Sequence, residues 1–372
     1  MKEAVFSFLS PKMALCPNPF LFLAIFNFFV LVSLSSSSAR TSPAGVDFCN
    51  SELLPPLHLL HTNKLTVLLS GFSEARLPLL RSLAISYSTH PAVSSVQILW
   101  SNPLTANRTL TQALHPFPVH RNPSASLNSR FLPRPSVLTR AVAIADDDIE
   151  IPSDSLSFAF SVFNTQPHRL VGFFPRSHDL DLAAKSWIYT VHPDKYSIVL
   201  TKFFIMGVEY LYRYSCGGGE KMRQMREVVD RKRNCEDILM NFVAAERTGA
   251  GPVLVEGKGL RDWGDVRNQE QEKEQGEEGE RRGSGTGESQ QEEEETKPEE
   301  DLGNANGKVS IVGLSKRGGH WKTRGDCIRE FHKILGKMPL RYSYGKVVAG
   351  IREQALCEKG GKLVVCDQQV GD

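Results

Sequence analysis

The chain has 372 residues, is 41% apolar and carries a formal net charge of +2. That length and apolar share exclude a fibrous or wholly disordered polypeptide and leave room for one large domain or two ordinary ones. The near-neutral total hides an asymmetry: Gln269 to Asp301 carries roughly ten net negative charges, so the remainder is basic by roughly twelve. A basic body suits anionic ligands or a membrane surface, and no nucleic-acid partner is expected.

The first element is the run PFLFLAIFNFFVLVSL, Pro19 to Leu34, preceded by Lys2 and Lys12 and followed by Ser35 to Ser38, Ala39 and Arg40. About 16 apolar residues is short for a plasma-membrane span. Two readings stand, a signal peptide cleaved near SSSSA or a short uncleaved anchor. The long stretch Lys2 to Asn18 favours the anchor, with 1–18 a cytosolic tail, 19–34 the span and 35–64 a loosely ordered stem. Short spans suit the thin membranes of the early secretory pathway. Either reading sends the body into the secretory lumen, and seven cysteines fit that compartment. With Cys16 on the cytosolic side, Cys49, Cys216, Cys235, Cys327, Cys357 and Cys366 remain, an even number. Asn107-Arg108-Thr109 is a glycosylation sequon in the same setting.

The body then alternates between two periods. LTVLLSGF, Leu65 to Phe72, reads as a strand closed by Gly71. LPLLRSLAISYS has helical spacing at Leu79, Leu80, Leu83 and Ile85. Val93 to Asn102 is a second strand, and RAVAIADDD a third, apolar through Ile144. SDSLSFAFSVFNTQP predicts a helix opened by a Ser or Asp cap and running to about Asn164. HRLVGFFP is a fourth strand. CGGGEKMRQMREVVDRKRNC reads as a glycine turn followed by a basic helix, whose face is solvated or meets an anionic acceptor or membrane. Strands alternating with helices predict an α/β domain with a largely parallel sheet.

Two acidic constellations carry the chemistry. Ligands of such sheets bind beyond the carboxyl ends of the strands, and Asp146, Asp147 and Asp148 stand at that end of the third strand. Adjacent carboxylates repel, so the triplet suits a hard dication, Mn²⁺ or Mg²⁺, bridging to a diphosphate. The alternative is that one aspartate caps the turn and the others are solvated. The second constellation is NCEDILMNFVAAERTG, where Ile238, Phe242 and Ala245 share a helix face. Glu236 and Asp237 at its start suit the helix dipole, either as simple caps or as functional acids. PVLVEGK beyond it is a further strand.

In this order, ILWSN, SLNSRFLPR, AIADDDIEIP, FAFSVF, RLVGFFPRSHD, YSIVLTKFF, NCEDILMNFVAA and MPLRYS resemble the exostosin-like glycosyltransferases of family 64, specifically the plant members. The resemblance covers roughly Leu65 to Tyr344. It implies a GT-A fold, a Rossmann-like nucleotide-sugar-binding half joined to an acceptor half. It also implies a Golgi or endoplasmic reticulum enzyme, single-pass and type II, that uses Mn²⁺ and retains anomeric configuration. The implied donors are GDP-mannose or a UDP-N-acetylhexosamine, and the implied acceptor is a glycosyl inositol phosphorylceramide or a glycan. By this resemblance Asp148 binds the metal and Asp146 and Asp147 the ribose and donor sugar. Asp237 is the catalytic carboxylate, and Glu236 stands where animal members have aspartate. Cys235 pairs with Cys327, and Arg324 and His320 face the diphosphate. Asn102, Arg130 and Arg76 contact the nucleotide.

The domain is placed at 65–356, with an acidic, low-complexity insert at 268–303 read as a solvated excursion. The tail 357–372 holds CEKGGKLVVC, read as a hairpin closed by a Cys357–Cys366 bridge. Two further readings stay open. One is a non-catalytic secretory binding protein that retains the fold. The other is a carboxylate-pair hydrolase, which the triplet and Arg324 fit less well.

Overall fold

The computed structural model describes residues 47–264, 319–349, 356–359 and 362–365. The apolar run Pro19 to Leu34, the acidic stretch Gln269 to Asp301 and Cys366 lie outside them. Among the described residues no helix is long and apolar enough to cross a membrane.

In chain order the strands are β1 (His61–Gly71), β2 (Val93–Trp100), β3 (Val119–Arg121), β4 (Thr139–Ala145), β5 (Ile149–Glu150), β6 (Val171–Gly172), β7 (Pro175–Asp181), β8 (Ser186–Thr190), β9 (Lys195–Tyr196), β10 (Ile198–Val199), β11 (Phe203–Gly207), β12 (Val253–Leu254), β13 (Arg261–Asp262), β14 (Ser343–Tyr344), β15 (Leu356–Lys359) and β16 (Lys362–Val365). The helices are α1 (Leu77–Ser88), α2 (Asn107–Leu114), α3 (Ser153–Thr165), α4 (Glu209–Ser215), α5 (Gly219–Lys232), α6 (Glu236–Thr248) and α7 (His320–Leu335).

Seven strands form the central sheet in the order β12-β6-β11-β4-β1-β2-β3. Parallel registers join β1 to β2 and β4, β2 to β3, and β12 to β6. Only β11 runs against the rest, antiparallel to both β4 and β6. The sheet is therefore parallel-dominated, as the strand and helix alternation predicts. β11 itself is a stretch that the pattern reading left unassigned.

Both faces are covered, which is why the central strands read as near-continuous apolar runs. Alternate residues point to opposite faces. Leu65, Val67 and Leu69 of β1 join Ala143 of β4 and Ile205 of β11 in one core, under α1 and α3 through Leu80, Leu83, Leu156 and Phe163. Leu68, Val142, Ile144 and Phe204 face the other core, where Tyr210, Met225, Ile238, Phe242, Ile328 and Phe331 of α4 to α7 close over them. The GT-A label goes no further here than this mixed α/β layering.

β1 begins at His61, inside the stretch read as stem. From Asp47 that stretch makes two short 3-10 turns, Ser51–Leu53 and Leu57–Leu59. A Cys49–Cys216 disulfide, spanning 167 residues, ties it to the end of α4. Sequence reasoning did not pair these cysteines. Beside them lies a cavity of about 550 Å³ walled by Leu54, Leu57, Leu60, Val137 and Leu211. Leu60 and Val137 precede β1 and β4, so this cavity sits at the amino ends of the parallel strands. The fourth strand read from HRLVGFFP is only the two residues of β6. The tail does form an antiparallel hairpin, with Cys357 opposite Val364. The Cys357–Cys366 bridge falls outside the described residues.

Candidate active site

The aspartate triplet follows β4 directly, in a turn with three anchors. Asp146 N–H donates to the Lys202 carbonyl at 3.2 Å, Ile149 N–H to the Asp146 carbonyl at 3.4 Å, and Trp263 N–H to the Asp148 carbonyl at 2.8 Å. β13 pairs with β5 next to it, setting Asp262 opposite Ile149. An ideal Cβ on Gly264 would stand 2.5 Å from Asp148 Oδ2 and 3.2 Å from Asp262 Oδ1. Position 264 must therefore lack a side chain if Asp148 is to keep its place, and the two carboxylates face one small space. Lys202 makes a short ion pair with Asp262.

Three arginines interleave with these acids. Arg76, which ends a 3-10 turn after β1, donates from Nη1 to Asp147 Oδ1 at 2.7 Å and to Asp148 Oδ2 at 3.0 Å. Arg130 Nη1 reaches Asp146 Oδ1 at 3.0 Å and Glu236 Oε1 at 3.3 Å. Arg324 Nη2 donates to Asp237 Oδ2 at 2.6 Å, while its Nη1 donates to Asn234 Oδ1 at 3.1 Å. Asp237 Oδ1 takes the Ile238 N–H at 2.7 Å. Asp237 and Arg324 are both buried. The bonds to Asn234 and from the Ile238 N–H offset part of the cost of burying this pair, while Arg324 Nε has no hydrogen-bond partner among the described residues.

The start of α6 is held unusually. Its cap, Cys235, has φ 78°, a left-handed conformation that disfavours any residue with a side chain. The Cys235–Cys327 disulfide joins that cap to α7. Asn241 fixes the helix from below, its Nδ2 donating to the carbonyls of Val199 and Asp237 and its Oδ1 accepting the Val199 N–H. Two acidic side chains thus project from a rigid helix N-terminus, whose dipole favours negative charge.

Burial governs the electrostatics. It pushes the Asp146 carboxyl up to about 7; Arg130 opposes that, while Asp148, Glu236 and Asp147 add to it. Asp148 and Glu236 are raised for the same first reason, each opposed by its arginine, Arg76 or Arg130. Burial alone would lower the arginines. Adjacent carboxylates more than compensate, so Arg76, Arg130 and Arg324 all end above the ordinary value. His320 is lowered by burial and then by Arg324, which favours its neutral form.

The structure brings together Arg76, Arg130, Asp146, Asp147, Asp148, Asp237 and Arg324, with His320 close enough to feel Asp237 and Arg324. Asn102 is at the same edge, just past β2, but its Oδ1 is taken by the Leu104 N–H at 3.0 Å in a local turn. Among the described residues it makes no hydrogen bond or ion pair with the other candidates. Asn107 is exposed at the start of α2, and its Oδ1 accepts a hydrogen bond from Arg121 Nε. Sequence reasoning assigned no role to Asn234, or to Tyr189, whose ring lies 4.6 Å from the Arg324 guanidinium and 5.0 Å from the Trp321 ring. Asn234 was visible in the NCED run. Tyr189 sits on the β7–β8 hairpin, which carried no local signal of a site.

The residues present fit a hard dication. Among the described residues no three His, Cys, Asp or Glu side chains cage an ion. Mn²⁺ and Mg²⁺ commonly bind one or two carboxylates together with phosphate oxygens and water. The Arg76 guanidinium already stands against Asp147 and Asp148, so the oxygens there attract a cation. Asp148, with Asp262 beside it, could hold one.

In an open α/β sheet of this kind ligands bind in the crevice beyond the carboxyl ends of the strands, and here that edge carries the interleaved acids and arginines. The sequence profile of the glycosyl transferase family 64 domain matches residues 65–284 and 288–351. The chain is 48% identical over 351 residues to "Glycosyltransferase family protein 64 C3" of Arabidopsis thaliana, covering 91% of this chain and 96% of that one. It is 27% identical to "Glycosylinositol phosphorylceramide mannosyl transferase 1" of the same plant, over 86% of this chain and 85% of that one. It is also 32% identical to the plant's "Glucosamine inositolphosphorylceramide transferase 1", over 49% of this chain and 23% of that one. The chain belongs to glycosyltransferase family 64, and it is a glycosyltransferase.

Proposed function

We propose that the chain transfers a hexosyl or N-acetylhexosaminyl group from a nucleotide sugar to a glycosyl inositol phosphorylceramide or a related glycan, retaining anomeric configuration. One observation supports this most: the Arg130 guanidinium joins Asp146 of the triplet to Glu236 of α6. Two acidic motifs far apart in sequence thereby become one site at the edge where a diphosphate would lie. Relatives whose names include mannosyl transfer and glucosamine on inositol phosphorylceramide motivate GDP-mannose and UDP-N-acetylglucosamine as donors.

In this reading Asp148 holds Mn²⁺ or Mg²⁺, with Asp262 beside it. Such an ion, when bound, offsets charge on the departing nucleoside diphosphate. Arg324 and the N-terminus of α7 take diphosphate oxygens, since a guanidinium and free helix N–H groups both favour anions. Asp146 and Asp147 orient the ribose and donor sugar. Asp237 faces the anomeric carbon as a fixed negative charge, its two oxygens already positioned by Arg324 and the Ile238 N–H. Preorganised charge of this kind is aimed at the oxocarbenium-like centre as the glycosidic bond breaks. His320, whose neutral form is favoured by burial and Arg324, offers the diphosphate a hydrogen bond. The enzyme works in the lumen of the Golgi or endoplasmic reticulum, held by its N-terminal apolar segment as a single-pass type II protein.

The test is a matrix of nucleotide sugars against inositol phosphorylceramide glycolipids, with and without Mn²⁺, scored by product mass and by the anomeric configuration of the new linkage. Transfer from one donor with retention supports the reading. Inversion, or Mn²⁺-independent transfer at the full rate, would remove the proposed roles of Asp237 and Asp148.

A further inference from the structure

At the amino ends of the parallel strands, a cavity and an unbalanced cation lie together. The cavity of about 550 Å³ is walled by Leu54, Leu57 and Leu60 of the stem, by Val137 and by Leu211 of α4. None of the acids of the candidate active site lines it. Its volume is that of a small-molecule site. Leu57 lines it and is 48% exposed, so the apolar wall continues to the surface. Apolar walls alone would accept any apolar occupant, and the charged residues narrow the choice. Arg134 lines the cavity and is 5% exposed. Its guanidinium donates to the Leu132 carbonyl at 2.6 Å, to Asn122 Oδ1 at 3.0 Å and to the Ser129 carbonyl at 3.1 Å. All three acceptors are neutral. A buried charge is ordinarily paired with an opposite one, as Arg130 is with Asp146 and Arg324 with Asp237. Arg134 makes no ion pair among the described residues, and burial pushes it down to about 10. Arg213 of α4 is a second cation of the wall, exposed and likewise in no ion pair among the described residues. Against these two stands one carboxylate, Glu209, whose Oε1 is 3.9 Å from His168 Nδ1.

We propose that this cavity binds a single-chain anionic amphiphile, with its hydrocarbon among the leucines and Val137 and its anionic head on Arg134 and Arg213. The chain supplies the affinity, because burying each CH₂ in an apolar site is favourable. The head supplies the missing counter-charge, and a guanidinium binds carboxylate and phosphate oxygens alike. The carboxylate of a free fatty acid and the phosphate of a lysophospholipid share this chemistry. The site lies at the end of the sheet opposite the aspartate triplet, so its occupant is neither the sugar donor nor a ligand of the transfer chemistry.

The experiment uses the purified full chain and measures displacement of a fluorescent fatty acid by palmitate, palmitoyl lysophosphatidate, laurate and hexadecanol, all below their micelle concentrations. Amide exchange with and without palmitate locates the site. Palmitate or lysophosphatidate should displace the probe and slow exchange in Ser51 to Leu60 and Val208 to Gly217, and the tighter of the two identifies the head. The shorter laurate should bind roughly tenfold or more weakly, since it buries fewer CH₂ groups. Hexadecanol, with the same chain and no charge, should also be weaker by roughly tenfold or more. Leu57→Glu puts a carboxylate on a half-exposed wall position and should weaken palmitate by roughly tenfold or more, while Leu57→Met should bind as wild type does. Arg134→Met should bring palmitate and hexadecanol to similar affinity. Arg213→Gln, at an exposed position, should narrow the same gap, so the outcome does not depend on whether the Arg134 variant folds. Three results would overturn the proposal. They are no displacement by either anionic amphiphile, equal affinity of wild type for palmitate and hexadecanol, and palmitate binding that leaves exchange in both segments unchanged.

Discussion

At the scale of single residues the site balances burial against charge, and two substitutions test that balance. Gly264 faces Asp148 so closely that an added methyl would stand 2.5 Å from its Oδ2. Gly264→Ala should push the carboxylate out of line while disturbing little packing. Stability measured by urea unfolding should change by about 1 kcal/mol or less, whereas cation-dependent donor binding should fall at least tenfold by calorimetry. Wild-type binding in that variant would show that Asp148 is not the holder. The second substitution concerns Asp146, which burial raises from 3.8 to about 7. Below about pH 4 both folded and unfolded chains carry this proton, so it has no effect on stability. Between about 4 and 7 the unfolded chain releases it while the folded chain keeps it, so the folded state loses stability as pH rises. Asp146→Asn removes that loss. Its stability relative to wild type should therefore climb between pH 4 and pH 7 and be flat outside that window. A flat difference throughout would mean that the folded site does not hold this proton more tightly than the unfolded chain does. Most of these residues were legible by sequence: an aspartate triplet after an apolar strand, and two acids opening an amphipathic helix. The arginines that pair with them came only from resemblance, because nothing local links Arg76 to position 147 or Arg324 to position 237.

At the scale of elements, legibility followed periodicity. The helices at Leu77–Ser88 and Ser153–Thr165 and the strands at Val93–Trp100 and Thr139–Ala145 were read to within a few residues, because each buries one stripe or both faces of a sheet. β11 was not read, since its FFIMG run is apolar on both faces and short, and periodicity cannot assign such a run. Nor was the docking of the stem, which depends on a disulfide whose partners are 167 residues apart and whose connectivity no spacing specifies. That disulfide makes a clear prediction. Cys49→Ser should free the segment carrying the two 3-10 turns from the end of α4 without disturbing α6. Amide exchange over Ser51 to Leu60 should rise by an order of magnitude or more, melting should fall by several degrees, and the specific transfer rate of the folded protein should hold. Equal protection of this segment in the variant would mean that packing against the cavity wall, not the bridge, holds it down.

At the scale of the whole molecule, the sheet separates two ends. The carboxyl ends of β1, β2 and β4 lead into the turn at Arg76, the loop at Asn102 and the aspartate triplet. The amino ends of β1 and β4 lead to the apolar cavity of about 550 Å³ and the Cys49–Cys216 bridge. Leucines and Val137 line most of the cavity, with Arg134, Glu209 and Arg213 in its wall, but Glu209 is the one carboxylate among its lining residues and the aspartate triplet is not in it. The carboxyl edge carries the interleaved acids and arginines. A general rule favours it as well, because loops leaving the carboxyl ends of parallel strands on either side of a reversal in strand order leave a crevice there. Hydrogen exchange can decide between the two ends. With Mn²⁺ and the donor's nucleoside diphosphate, protection should increase in Phe72 to Arg76, Ser101 to Ala106, Asp146 to Glu150, Asp262 to Gly264 and the first turn of α7. Ser51 to Leu60 and Val208 to Gly217 should exchange as in the free protein, since nothing in the nucleotide reaches them. Free-state opening in these loops is local, so bound ligand should slow it in proportion to occupancy. Protection concentrated around the cavity, with the carboxyl edge unchanged, would move the donor to the opposite end of the sheet and leave the aspartate triplet without its assigned ligand.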